Sequence, residues 1–309
     1  MQGTISMKVF KQGESLSYSK SNDFINLSSV HQLMMIRLVT FDVTNTLLRP
    51  LSSVGEQYAA AIGEFLKVDC DEKNITKSFS DSYKTLGYAH PNFGRNCGIS
   101  PKQWWASVFL DTLMHAGITS VDAFVSKDKC QKHLQLWKIV EGDSKLQKAF
   151  ESVYGGFKWS VIDGALPLLR FLKHDCSDVL MGIISNNDDR VEGALNDTGL
   201  LKYIDFVITS HNCGFEKPDH RIFVHALKQS RKIAKPRLTS ITLPEMLHIG
   251  DNFEKDYLGA KNAGCKALLL DTDDFYKQSG KLDPSHCIKN LLAGKDLLKT
   301  LVRLRSVAA

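Results

Sequence analysis

The sequence has no Cys-x-x-Cys pair and no cysteine–histidine grouping at zinc spacing. Its seven cysteines are scattered and odd in number. That argues against a disulfide framework or structural zinc, and for reduced thiols in an intracellular setting, cytoplasmic or nuclear. No apolar run approaches the roughly 18 residues of a membrane-spanning helix, and no signal-peptide core is visible, so no membrane partner is expected. Blocks of like charge are missing as well. The 39 basic and 34 acidic residues are dispersed and sum to +5, which gives no support to a nucleic-acid partner. Internal repeats are absent. What is left is an ordinary globular composition, 43% hydrophobic and 24% charged over 309 residues, long enough for two domains.

The informative stretch is RLVTFDVTNTLLRP, Arg37 to Pro50. It reads as a short apolar strand (Leu38, Val39, Phe41) that delivers Asp42 to a loop at its carboxyl end, where ligands bind in open α/β sheets. An aspartate there fills a core poorly, but it suits metal binding or attack on an electrophile. Asn45 fits a sharp loop because asparagine tolerates positive φ.

Before this strand, residues 1–34 are rich in Ser, Lys and Asn without periodicity, and predict a disordered extension. After it, apolar residues at three-to-four spacing predict helices over Val54–Lys67, Glu72–Tyr88, Pro101–Ala116, Val121–Lys138 and Asp143–Tyr154. Ser100-Pro101-Lys102-Gln103 is a helix start with a capping box, and His90–Gly98 is a glycine-punctuated loop. From Asp163 onward strands alternate with helices: Val179–Ile184, Phe206–Thr209, Leu247–Ile249 and Ala267–Leu270 are near-continuous apolar strands. This pattern predicts an α/β fold with a Rossmann-like parallel sheet covered on both faces. Residues 35–52 and 157–309 form that core, and 53–156 form an all-helical cap inserted after the first strand.

Polar residues recur just beyond the strands: Asp42, Ser185, Lys217, and Asp251 with Asp256. Singly, each has a structural explanation as a cap, a turn residue or a solvated charge. Together they describe one pocket: carboxylates for a divalent cation, a hydroxyl for oxyanions and a lysine for the remaining negative charge. Such a pocket suits phosphoryl transfer, where catalysis is mostly positioning and charge neutralisation.

In order, FDVTNT, IISN (Ile183–Asn186), GFEKPD (Gly214–Asp219) and GDNFEKD (Gly250–Asp256) resemble the four motifs of the haloacid dehalogenase superfamily of hydrolases, over about Ile36 to Leu298. The resemblance implies Asp42 as the nucleophile that becomes an aspartyl-phosphate, with Ser185, Asn186 and Lys217 around the phosphoryl oxygens and Thr46 orienting the loop. It implies Mg²⁺ held by Asp42, the Thr44 carbonyl and Asp251, with Asp256 near this metal site and positioning Lys217 or a metal-bound water. A small phosphorylated metabolite is the expected partner. The cap would select it, with Asn92 and Arg95 of the His90–Gly98 loop as candidate ligand contacts. Of Trp104 and Trp105, at least one is expected in the cap core; His115, His133 and His248 are expected to be structural.

Thr44 departs from the superfamily's phosphatase pattern, which places a second aspartate two residues after the nucleophile as general acid and base. Threonine does neither job at neutral pH. A general acid–base is worth about 10²–10⁴ in rate, or roughly 3–5.5 kcal/mol of barrier. Three expectations follow: a Mg²⁺-dependent phosphatase with weakened acid–base catalysis, a low-activity or non-catalytic relative that binds a phosphorylated ligand or a protein partner, and a carbon–halogen hydrolase. GDNFEKD counts against the last, since dehalogenases need no metal. Because residues before Met35 carry no apolar periodicity, a chain starting there should keep its melting temperature within about two degrees, as differential scanning calorimetry would reveal. A larger loss would mean that the extension packs on the core.

Overall fold

The computed structural model describes residues 36–118, 129–176, 178–234 and 240–308. The expected extension, 1–34, and the start of the expected Val121–Lys138 helix lie outside the described residues. β1 (Leu38–Phe41) is buried on both faces, as its uninterrupted Leu-Val-Thr-Phe run requires. Short β2 (Leu48–Pro50) and β3 (Trp159–Val161) pair antiparallel, away from the main sheet. β4 (Leu180–Ser185), β5 (Phe206–Thr209), β6 (Met246–Gly250), β7 (Lys266–Leu270) and β8 (Cys287–Ile288) join β1 in a six-stranded parallel sheet, ordered β5-β4-β1-β6-β7-β8.

Between β2 and β3 the chain is helical: α1 (Val54–Ala61), α2 (Glu72–Ala89), α3 (Pro101–His115), α4 (Lys129–Gly142) and α5 (Ser144–Tyr154). α3 starts on the capping box of Ser100 and Gln103, as its sequence predicts. These helices bury a core of their own around Tyr58, Ile62, Phe109, Leu110 and Phe150. The helical segment begins at Val54, after β2 ends on Pro50. The β2–β3 pair escapes sequence detection because three residues per strand are too few to show a period.

α6 (Ala165–Asp175), α7 (Arg190–Asp197), α8 (His220–Ile233) and α9 (Leu291–Ala308) belong to the sheet half. Alternation along β1 sends Val39 and Phe41 to a core shared with α6, α7 and α9, and Leu38 to one shared with α8. Connections run from β1 towards β4 on one side and from β6 towards β7 on the other. The crevice between the carboxyl ends of β1 and β6 is thus the switch point of the sheet, where ligands bind in such folds.

Gln57 and the Asn92–Arg95 loop are two of the ties between the helical segment and the sheet half. Gln57 donates from Nε2 to the carbonyls of Ser52 and Lys158, and its Oε1 accepts the Lys158 N–H at 2.7 Å, which ties the two connecting strands together. Farther out, Asn92 Nδ2 donates to the Ser210 carbonyl at 2.8 Å, and Arg95 donates to the carbonyl of His211.

β6 ends on Gly250, against which the carboxylate of Asp256 is packed. A Cβ at Gly250 would lie 2.3 Å from the carboxyl carbon of Asp256 and 2.4 Å from one of its oxygens. Gly250→Ala is therefore expected to cost about 1–3 kcal/mol, the usual range for overpacking a buried site. That lowers the melting temperature by several degrees in a domain of this size, measured by calorimetry, while a neutral result would show that Asp256 has room to move.

Candidate active site

The loop after β1 is a tight turn built on one acceptor. The Val43 carbonyl receives the N–H groups of Thr46, Leu47 and Leu48, and Asn45 adopts φ 60°, as its sequence predicts. The bridge between Thr44 and Leu48 runs through the Val43 carbonyl and the Asn45 N–H on either side, so it does not use the carbonyl of Thr44. Thr46 is fully buried and donates its hydroxyl to Asp251 Oδ1 at 3.3 Å, which joins the loops after β1 and β6.

At the centre is Lys217, 3% exposed. Its ammonium donates to Asp42 Oδ1, to Asp256 Oδ1 and to the Ile184 carbonyl, each at 2.7 Å. Three N–H bonds meet three acceptors, so the buried cation is fully partnered. The lysine is aimed by its backbone: Asn186 Oδ1 accepts the Lys217 N–H at 2.7 Å and Asn186 Nδ2 donates to the Lys217 carbonyl at 2.9 Å, beside a cis Lys217–Pro218 peptide.

Charges set the protonation states. Burial raises the Asp42 carboxyl above the ordinary range; Lys217 opposes the rise, while Asp256 and Asp251 add to it. Burial also raises Asp251, and Asp256 adds to that. For Asp256 burial acts upward too, but Lys217 and His248 outweigh it and hold the group well below the usual carboxylate value. Both oxygens of Asp256 are engaged: Oδ1 by Lys217 and by His248 Nε2 at 3.2 Å, and Oδ2 by the Asn252 N–H at 2.9 Å. Asp256 thereby holds the Lys217 ammonium in place.

His248 belongs to this network. Burial lowers its pKa and keeps it neutral. A carboxylate only accepts, so Nε2 carries the proton towards Asp256, and Nδ1 accepts the Thr40 hydroxyl at 2.9 Å. The β1–β6 register sets Thr40 beside His248. That pairing is the signal that identifies His248, and it becomes visible only once the strands are aligned.

The structure brings Asp42, Thr44, Ser185, Asn186, Lys217, Asp251 and Asp256 around one cavity of about 570 Å³. It does not bring Asn92 and Arg95 there: both are turned onto backbone carbonyls of residues 210–212 and tether the loop instead of facing the cavity. The expectation of direct ligand contact by these two is corrected accordingly. The Asn186 carboxamide is likewise occupied, by the Lys217 peptide. Trp104 is core, 1% exposed, whereas Trp105 lines the cavity and donates to Asp188 Oδ2 at 2.7 Å. His115 pairs with the Ser82 hydroxyl inside the helical segment, and the His133 side chain lies outside the described residues. Sequence reasoning missed Asp188 and Arg190. The Arg190 guanidinium holds the buried Asp188 carboxylate at 2.9–3.2 Å and lies 4.3 Å from the ring centre of Trp105.

Asp42, Asp251 and Asp256 each offer an oxygen within 4.8 Å of the others, a set that could hold a metal ion. Among the described residues no helix is long and apolar enough to cross a membrane.

Comparison with known proteins agrees with this architecture. The family model for haloacid dehalogenase-like hydrolase matches residues 36–264. Haloacid dehalogenase-like hydrolase domain-containing protein 3 of Homo sapiens is 32% identical, over 77% of this chain and 82% of its own. The rhythmically expressed gene 2 protein of Drosophila melanogaster is 31% identical, over 78% and 85%. Among solved structures, the 2-haloacid dehalogenase of Pseudomonas syringae pv. Tomato shares the fold with TM-score 0.55 and 21% identity, over 86% of this chain and 99% of its own. The magnesium-bound YfnB hydrolase of Bacillus subtilis does so with TM-score 0.55 and 19% identity, over 86% and 98%. With a family match over most of its length and relatives above 30% identity, the chain belongs to the haloacid dehalogenase-like hydrolase family.

Proposed function

We propose that this hydrolase is a Mg²⁺-dependent phosphatase of small phosphorylated metabolites, acting inside the cell through an aspartyl-phosphate on Asp42. The observation that supports it most is the pairing of Asp42 with a fully partnered, buried ammonium 2.7 Å away, at the switch point of the sheet. Lys217 fixes the carboxylate and would meet the charge of the incoming phosphoryl oxygens. Ser185, at the end of β4 and on the cavity wall, would donate its hydroxyl to them.

The donor set fits Mg²⁺. Asp42 and Asp251 offer hard carboxylate oxygens, and the Thr44 carbonyl is left out of its bridge. Asp42, Asp251 and Asp256 together outnumber the one ammonium among them, and a divalent cation would offset the excess. When bound, the ion supplies charge stabilisation for the phosphoryl oxygens. The YfnB structure, with magnesium, is consistent with this reading. Isothermal calorimetry should detect weaker Mg²⁺ binding in Asp251→Asn than in the parent chain; equal affinities would remove the assignment.

A second reading, a binder of phosphorylated ligands with little catalysis, is favoured by one residue, Thr44, where no group can protonate the leaving oxygen. The two readings separate kinetically. With Asp42 attacking and no acid beside it, acyl and aryl phosphates should react far faster than alkyl phosphates. With no base to activate water, a burst of one leaving group per site should precede slow turnover. Thr44→Asp should raise turnover of alkyl phosphates by up to about 10²–10⁴, and Asp42→Asn should abolish burst and turnover alike. Absence of any burst with aryl or acyl phosphates in Mg²⁺, without rescue by Thr44→Asp, would leave the binding reading in place. Carbon–halogen hydrolysis has less support, since it leaves Asp251 and its buried tie to Thr46 without a role.

A further inference from the structure

The cavity above Asp42 has two unlike sides. Its floor is the charged cluster at the carboxyl ends of β1 and β6; its roof comes from the helical segment and from residues near β3. Among the described residues, those that the helical segment contributes to the wall are uncharged and mostly aromatic, such as Tyr58, Phe79, Tyr83, Trp105 and Tyr154. Trp159 of β3 also lines the cavity. The Phe79 and Trp105 rings lie within 13° of parallel, and Phe79 and Tyr83 within 23°. Burial raises the Tyr58 and Tyr83 phenols and pushes Tyr154 up to about 12, so they remain neutral hydrogen-bonding groups.

The cations near the roof are already committed. Arg190 spends its fork on Asp188, donates to the Tyr154 carbonyl at 3.2 Å, and lies 4.5 Å from the Tyr154 ring centre. Lys255 lies on the floor side, after β6, where it acts on the partly buried Glu216; Asp197 adds a negative charge to the lining. Among the described residues, a second phosphate or a carboxylate on the substrate would find no free guanidinium on the roof. A flat, uncharged ring would find several faces of its own kind. The volume of about 570 Å³ is in the usual range for a small-molecule site.

We propose that the substrates are aryl monophosphates, with the phosphate on the Asp42–Lys217 floor and an uncharged aromatic ring against the roof. This rests on the phosphatase reading above and names its substrate class. The chemistry at residue 44 agrees with it. As an Asp42 oxygen bonds to phosphorus, the phosphorus–oxygen bond to the ring breaks and its electron pair leaves on the aryl oxygen. That oxygen then takes a proton from water. A phenol loses its proton near pH 10 and water near 15.7, so an aryloxide departs without the acid that Thr44 cannot provide. Water next adds to the phosphorus of the aspartyl-phosphate and gives up a proton to solvent, so that inorganic phosphate leaves and Asp42 is restored.

Rate alone would not test this, because aryl phosphates carry better leaving groups whatever the roof recognises. Binding of phosphonates, which have no ester bond to break, isolates recognition. Calorimetry in Mg²⁺ with the full chain would compare phenylphosphonate, cyclohexylphosphonate, 4-carboxyphenylphosphonate and methylphosphonate. Phenylphosphonate should bind at least about tenfold tighter than methylphosphonate, from burial of the ring. It should bind about threefold to tenfold tighter than cyclohexylphosphonate, from ring–ring contact. The carboxylated ring should lose most of that advantage. Phe79→Ala, or Phe79→Leu if alanine destabilises the helical core, should lower the phenyl-to-methyl ratio severalfold. Equal binding of phenyl and methyl, a preference for cyclohexyl or for the carboxylated ring, an unchanged ratio in both Phe79 variants, or no binding at all would overturn the proposal. If the aryl preference holds but phenyl phosphate gives neither burst nor turnover, the phosphatase reading fails and the recognition stands. Turnover without aryl preference overturns the recognition and leaves the phosphatase reading standing.

Discussion

A buried ammonium sets the terms for the whole site. Taking a lysine out of water is costly unless the charge is paired and its hydrogen bonds are met. Here Lys217 has three partners at 2.7 Å, two of them carboxylates from the loops after β1 and β6. Removing one partner from such a buried group typically costs about 3–5 kcal/mol, so the three loops that meet at Lys217 have little freedom to drift apart. The same contacts keep Asp42 within reach of whatever enters the cavity. Stability and positioning thus depend on one set of bonds.

The supports spread outward from there. Asn186 clamps both faces of the Lys217 peptide, His248 and the Asn252 N–H hold Asp256, and Gly250 leaves the space in which that carboxylate lies. Thr40, one strand over, completes the line through the sheet. None of these groups needs to touch a substrate. Each removes a way for the central pair to be misplaced, and small misplacements of reacting groups are expensive.

Above the strand ends, the helical segment has its own hydrophobic core and is fastened at three places: by Gln57 across the two connections, by the Asn92–Arg95 loop on the carbonyls after β5, and by Trp105 and Arg190 around Asp188. The third fastening also builds the roof. The Asp188 carboxylate that receives the Trp105 indole at 2.7 Å also neutralises Arg190, so the described part of the wall above Asp42 is dominated by aromatic rings. Charge is concentrated on the floor, and recognition of the organic group passes to ring faces.

Much of this was legible along the chain. The near-continuous apolar runs of β1, β4, β5, β6 and β7 imply a parallel sheet covered on both faces, because a strand with a wet face would alternate polar and apolar positions. The positions of Asp42 and Asp251 just beyond strand ends, and of Ser185 at one, follow from the same segmentation, and family motifs carry the order of these residues and Lys217. The helical insert is legible from its three-to-four spacing and from the Ser100–Gln103 box. What the sequence could not determine is which side chains meet. The short β2 and β3, the pairing of Thr40 with His248, and the union of Asp188, Arg190 and Trp105 each join residues remote in the chain. Asn92 and Arg95 show the same limit: their loop looked fit for a ligand, yet nearby backbone carbonyls satisfy their donors. Residue type and local period determine elements and the kind of chemistry available, because both arise from neighbours along the chain. Which atoms face one another depends on strand register and on how the helical segment lies over the strand ends, and only the tertiary structure decides that.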